Sequence, residues 1–275
     1  MNRIMVGVSG EDESRPAIAW AIQYAKRSHA EVEFVHVIDI TWGVAPSGFA
    51  EAALLEAEQQ LRAQVERATL NEPGVAIHPT VLIGSPNRSL TEHAKDATLL
   101  VIGSSERIGD TLFSTRAARI AASAACTVIV IPSDEVEAGK DIVVGIDGSE
   151  ASAGAVEFAA READRLNVQL TVVYSWTAPK PWSASTSIDW PSEPGQEDRR
   201  ILAEATAGLA DAYPDLKIDR RVVSARPASA LYAAGVGARM VVVGSHGRHG
   251  FSKALLGSVS EELVLSLPCP VAVVR

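Results

Sequence analysis

The chain is poor in the residues on which several protein classes depend. It has two cysteines, Cys126 and Cys269, in 275 residues. That excludes a disulfide framework, and both precede short apolar runs, where buried free thiols are expected. Aromatic residues make up 5%, so the core must be built from Ala, Val, Ile and Leu. No stretch of 18 uninterrupted apolar residues occurs, so no membrane span is expected. The start, Met1-Asn2-Arg3-Ile4-Met5-Val6, runs straight into a strand-like segment. It lacks the basic and apolar regions of a secretory leader, which makes the cytoplasm the expected compartment. Positive charge is also short: 25 Lys and Arg against 34 Asp and Glu give a formal net charge of -9. Such a chain repels nucleic acid and anionic membranes unless it gathers its basic residues, and no stretch does so. With 47% hydrophobic and 21% charged residues, bulk disorder and fibrous repeats are excluded as well.

What the chain does have is a repeat. Ile4-Met5-Val6-Gly7-Val8-Ser9-Gly10 returns as Ile142-Val143-Val144-Gly145-Ile146-Asp147-Gly148, 138 residues later. Leu100-Val101-Ile102-Gly103-Ser104 returns as Val241-Val242-Val243-Gly244-Ser245, and Cys126-Thr127-Val128-Ile129-Val130-Ile131 as Cys269-Pro270-Val271-Ala272-Val273-Val274. The order never changes, so one domain of roughly 135 residues occurs twice. The expected domains are 1–133 and 140–275, joined by the short polar segment Ser133–Lys140.

Each copy alternates Val- and Ile-rich runs with helical patterns. In the second copy, strands are expected near 141–147, 168–176, 217–224, 239–244 and 270–274, and helices near 150–166, 196–212, 227–237 and 257–267. Strands without polar alternation are covered on both faces. Alternation of this kind indicates a doubly wound α/β domain, a parallel sheet wrapped by helices with right-handed crossovers. Ligands in such sheets bind beyond the carboxyl ends of the strands, where the strand order reverses. The segment from Ala178 to Pro194, with Trp182 and Trp190, is expected to be a long irregular loop, a cover for the sheet edge or a ligand lid.

One motif carries chemistry. From Gly244 the pattern is Gly, two residues, Gly247, nine residues, then Gly257-Ser258, with Gly250 inside the spacer. It starts at a strand end and finishes at a helix start. Glycines let an anion approach the main chain, and a helix start offers unpaired N–H groups and a positive dipole end. Together they make a phosphate cradle. No lysine precedes Ser258, so this is not a P-loop; Arg248 and Lys253 remain as sources of positive charge. On spacing alone an ordinary glycine-rich strand-to-helix loop stays open as the alternative. Asp147, followed by Gly148-Ser149, ends the first strand of its copy. The topology puts it beside the glycine loop, where a carboxylate binds a ribose or a base edge; an N-cap role in the next helix is the alternative, with Ser149 competing. His246 and His249 lie in the same loop, where solvated imidazoles are commoner than functional ones. No histidine or cysteine pattern indicates a metal site, and no nucleophile elbow or carboxylate pair indicates a catalytic centre.

These segments, together with the ending Cys269-Pro270-Val271-Ala272-Val273-Val274-Arg275, resemble the universal stress protein family over essentially the whole chain, as two tandem domains. Val35-His36-Val37-Ile38-Asp39 and Gly84-Ser85-Pro86 of the first copy share the likeness. The resemblance implies two five-stranded parallel sheets of order 3-2-1-4-5, and ATP, with or without Mg2+, as ligand. It implies that Asp147 meets the nucleoside, that Ser175 holds the adenine through its backbone, and that Gly244, Gly247, Gly257 and Ser258 hold the phosphates; Gly148 and Gly250 are further cofactor-binding candidates. Val243, His246, Val259 and Ser260 are their neighbours. It also implies that the two domains of one chain pair through their last strands, Val128–Ile131 with Val271–Val274; a homodimer of chains and an unidentified regulatory protein partner are compatible with it. Two departures stand out. Tyr174-Ser175-Trp176 replaces the usual His-Val-apolar ending, with Trp176 expected to narrow or stack in the adenine pocket. Ala225-Arg226-Pro227 replaces Gly-x-Pro.

The first copy has lost the motif. Glu106 stands where Gly247 does, Ser114-Thr115 where Gly257-Ser258 does, and Ser9 where Asp147 does. A carboxylate about 4 Å from a phosphate charge repels it by about 4 kcal/mol at an effective dielectric of about 20. Helix-end attraction returns only about 0.3–1 kcal/mol. Arg107 or Arg116 could offset part of the repulsion, but weak binding or none is expected there. The resemblance implies an ATP-binding stress-response regulator, and no residue pattern points to an enzyme. The alternatives are a slow ATPase or nucleotidyl transferase using the same pocket, and a chaperone-like scaffold in which the nucleotide is structural.

Overall fold

The structure is a computed structural model, and it describes residues 2–9, 14–40, 49–104, 111–133, 139–176, 195–248 and 255–275. The expected linker, the long loop after the second strand of copy two, Gly250 and Lys253, and Glu106 and Arg107 of copy one fall wholly or largely outside them. The chain divides into two units, Met1–Val136 and Glu137–Arg275.

In the first unit the order is β1 (Arg3–Gly7), α1 (Arg15–Ser28), β2 (Glu31–Asp39), α2 (Phe49–Asn71), β3 (Ile77–Gly84), α3 (Pro86–His93), β4 (Leu99–Gly103), α4 (Thr111–Ser123) and β5 (Thr127–Ile131). All pairings are parallel, in the order β3-β2-β1-β4-β5. The second unit runs β6 (Asp141–Ile146), α5 (Glu150–Leu166), β7 (Gln169–Trp176), α6 (Gln196–Ala205), α7 (Leu209–Ala212), β8 (Ile218–Ser224), α8 (Pro227–Gly235), β9 (Met240–Gly244), α9 (Ser258–Ser266) and β10 (Val271–Val274). It repeats the same parallel order, β8-β7-β6-β9-β10. The doubly wound fold expected from the alternation is present in both halves.

Small residues set how closely the layers approach. Ile142, Val143 and Val144 of β6 and Val241 and Val242 of β9 are fully buried, and so are Ala155, Ala159, Ala160 and Ala163 on one face of α5. Burying such a Val or Ile is worth about 1.5–3 kcal/mol, and alanines let α5 lie close to the strands. Gly244 completes the fit, since a β-carbon there would sit 2.8 Å from the backbone of Ala151. Both cysteines are buried and free, and burial pushes the Cys269 thiol up to about 12. No helix among the described residues is long and apolar enough to cross a membrane.

The expected helix over 196–212 is in fact two. The chain leaves the helical region at Gly208, whose φ is 77°, so α6 stops at Ala205 and α7 follows as one short turn.

The two sheets differ where it matters for a ligand. The central strand β1 pairs with β4 through four positions, ending at Gly7 with Ile102. Its counterpart β6 pairs with β9 through three, ending at Val144 with Val242. The crevice at the reversal point therefore opens one residue earlier in the second unit.

Candidate functional site

That crevice is a cavity of about 590 Å³, within the usual range of roughly 300–1,000 Å³ for small-molecule sites. Its apolar lining comes from Ile146, Val173, Pro227, Leu231, Val243, Leu255 and Leu256. The same lining carries Asp147, His246, Gly247, Arg248, Gly257, Ser258 and Ser260.

Asp147 ties the strand end to the glycine loop. Its Oδ1 accepts from the N–H of Ser149 at 2.9 Å and from its hydroxyl at 2.6 Å, and its Oδ2 accepts from the N–H of Arg248 at 2.9 Å. Ser149, not Asp147, caps α5, its Oγ accepting from Ser152 N at 3.2 Å. Burial opposes the Asp147 charge, but hydrogen bonds from Ser149, Arg248 and Ser152 outweigh it and hold the carboxyl below its ordinary range. The tether explains Gly247, where a β-carbon would lie 2.5 Å from Asp147 Oδ2. Gly148 adopts φ 79° and lies outside the cavity lining; a β-carbon on it would meet the Arg248 guanidinium at 2.6 Å.

The phosphate-sized end is made by α9. Gly257 is its N-cap and, having no side chain, makes no cap bond to the first-turn amides. The turn is braced from behind: Gly257 N donates to Ser245 O at 2.9 Å, and Ser260 Oγ donates to Gly257 O at 2.9 Å. Gly257 differs from Gly247 in that, among the described residues, a β-carbon there would meet protein at 3.5–3.6 Å, ordinary contact distance. His246 is half-buried on the cavity wall and shares a hydrogen bond of 2.8 Å with Ser245 Oγ.

The model of the universal stress protein family matches residues 1–132 and again 139–275. A universal stress protein of Mycolicibacterium smegmatis is 34% identical over 99% of this chain and 96% of its own. The chain belongs to the universal stress protein family. The crystal structure of a universal stress protein from Archaeoglobus fulgidus covers 100% of this chain and 96% of that one, with TM-score 0.76 and 16% identity, a likeness of fold. A universal stress protein solved in complex with cAMP matches 50% of this chain and 99% of its own, with 28% identity and TM-score 0.39.

Within this universal stress protein fold, the structure gathers Asp147, Ser175, Val243, Gly244, His246, Gly247, Gly257, Ser258, Val259 and Ser260 around one cavity. Trp176 is not among the lining residues, a correction to the stacking role expected of it. β7 ends there, with Trp176 opposite Ser224, and the cavity side is taken by Tyr174 and Ser175. The Ser175 hydroxyl donates to Ala225 O. Burial first, and then the hydrogen bond to Asp198 on α6, push the Tyr174 phenol upward. Sequence reasoning missed Tyr174, Ser152, Pro227 and Leu231 as wall residues. Leu231 had a signal, since a β-carbon on the repeated Gly145 would sit 2.6 Å from its side chain.

The equivalent crevice in the first unit holds only about 110 Å³. Ser9 cannot act as Asp147 does; its N–H is taken by Ser14 Oγ at 2.7 Å. His36 stands where Tyr174 does and shares a hydrogen bond of 2.9 Å with Val8 O. Aligned on the cysteines, α4 should begin near Thr115, yet it begins at Thr111 and so occupies part of the loop.

Proposed function

We propose that the second domain binds ATP, alone or with Mg2+, and that the protein is a nucleotide-responsive regulator, not a catalyst. The observation that carries this reading is the N-terminus of α9, where Gly257 supplies no side-chain cap and lines, with Ser258, a cavity of about 590 Å³ that also has apolar lining from Val173, Pro227 and Leu231. A helix N-terminus favours an anion and the apolar lining favours a ring system; an anionic tail on an apolar ring system suits both. In this reading Gly247, Gly257 and the amides of Ser258–Ser260 hold the phosphates. Val173, Tyr174, Ser175 and Leu231 enclose the base, and Asp147 fixes the loop while facing the ribose side. Among the described residues no group of three His, Cys, Asp or Glu side chains could hold a metal, so Mg2+ would arrive on the phosphates.

Mass spectrometry of ligand released from the purified protein, with calorimetric titration of ATP, ADP, AMP and cAMP, tests the reading. ATP in the released fraction, and the tightest titration with ATP, are expected. Tighter binding of cAMP, or no nucleotide binding at all, would overturn it. Single-turnover assays should return ATP intact on the time scale of binding; rapid hydrolysis would make the protein an enzyme.

A further inference from the structure

The next inference rests on the ATP reading and concerns how the site reports its occupant. Three observations meet at Arg248. Its N–H is held by Asp147 Oδ2 at 2.9 Å, which anchors the backbone beneath the side chain. Its guanidinium lies in the notch that Gly148 leaves open: a β-carbon there would be 2.6 Å from Nη2 and, on the other side, 3.3 Å from Cγ2 of Ile201 on α6. The groups that face it across this notch belong to the start of α6 and the end of β7. Glu197 is held below the usual carboxylate range by its hydrogen bond with Arg200 first, and then by the charges of Arg200 and Arg248. Asp198 accepts from the Tyr174 hydroxyl and, through Oδ2, from Gly195 N at 2.8 Å.

Among the described residues the guanidinium makes no hydrogen bond, and Arg248 is one of the residues that line the cavity. A guanidinium carries five donors in a fork that fits phosphate oxygens. Here it rests beside Gly148 and near Ile201, attracted by the charge of Glu197 but not bonded to it. Glu197 does not need it, because Arg200 grips both its oxygens at 2.7 and 2.9 Å.

We propose that Arg248 is the residue that reads the polyphosphate tail, and that it works as a latch. Without ligand it lies in the Gly148 notch and holds the start of α6 against the glycine loop. A polyphosphate offers charge-assisted, bidentate hydrogen bonds, draws the guanidinium into the cavity and loosens α6. The signal follows phosphate charge and not the base, and α6 is the element that carries it.

Hydrogen exchange of the amides of Gln196–Ala205 in the full chain tests this, with ATP, adenosine and inorganic tripolyphosphate as probes, in wild type, Arg248→Gln and Arg248→Lys. In wild type, ATP and tripolyphosphate are expected to speed exchange in α6, and adenosine to leave it unchanged. Arg248→Gln should show fast α6 exchange before any ligand and no further change with ATP. Its ATP affinity should fall about ten- to a hundredfold, the worth of charged hydrogen bonds, with adenosine binding retained. Arg248→Lys, which keeps charge but not the fork, should fall between. ATP binding to wild type with α6 exchange unmoved, or equal loss of ATP and adenosine in Arg248→Gln, overturns the latch and leaves the ATP site standing. Wild type binding neither ATP nor adenosine overturns the site reading; the unliganded comparison of wild type with Arg248→Gln then still decides the α6 contact, and equal exchange overturns it.

Discussion

Two glycines of one motif serve different masters, and single substitutions separate them. At Gly247 a methyl group collides with Asp147 Oδ2 at 2.5 Å, so Gly247→Ala must disturb the bond from Arg248 N. Losing a hydrogen bond to a charged group costs about 1.5–3 kcal/mol; Gly247→Ala is expected to lower both the melting temperature and ATP affinity. At Gly257 the nearest protein atoms are 3.5 Å away, so Gly257→Ala should leave melting unchanged and weaken ATP binding at least tenfold. Wild-type ATP affinity in Gly257→Ala would place the phosphates elsewhere. A second cluster makes its own prediction. Glu33 accepts from Arg3 Nη1 at 2.8 Å and from Thr80 Oγ1 at 2.6 Å, and lies 2.8 Å from His93 Nε2. Burial opposes its charge, but these partners outweigh burial and lower its pKa. A lowered carboxylate stabilises the fold above its unfolded value, about 4.5, and loses that contribution as pH falls through the lowered folded value. Glu33→Gln should therefore cost about 2 kcal/mol at pH 7, and the gap to wild type should narrow progressively as pH falls below the unfolded value toward the lowered folded one. Denaturant titrations at pH 7 and pH 3 check it; a gap as large at pH 3 as at pH 7 would contradict the assignment.

Among the elements, the strands were the most legible. Unbroken Val and Ile runs between glycines and helical patterns placed β6, β7, β8, β9 and β10 to within a residue at each end, because a strand buried on both faces has no polar alternation to blur it. Helix ends were less so. The segment 196–212 keeps apolar residues at helical spacing through Gly208, and spacing alone does not reveal a left-handed backbone. The φ of 77° at Gly208, with nothing within 4 Å of a β-carbon, makes the break a matter of backbone preference and not of crowding. Gly208→Ala should therefore cost about 1 kcal/mol and lower the melting temperature by about 2–4 °C; an unchanged or raised value would mean the break is set by packing. The site was legible as a motif, but not in its division of labour. That Asp147 anchors Arg248, and that Gly148 leaves room for the guanidinium, depends on three-dimensional approach between residues about a hundred positions apart, which no local pattern encodes.

At the scale of the whole molecule, the repeat is a comparison built into one chain. Both halves keep the same parallel sheet and strand order, so the fold tolerates loss of the glycine loop. What differs is local: one pairing fewer between β6 and β9 than between β1 and β4, and a crevice of about 590 Å³ against about 110 Å³. The account's central claim is that this difference divides one ATP-binding half from one that has given binding up. The most direct measurement is the stoichiometry of ATP binding to the full chain by calorimetric titration, repeated on Gly247→Glu, which copies Glu106 into the second half. The account predicts one ATP per chain, lost in Gly247→Glu; two equivalent sites, or a single site that survives the substitution, would contradict it.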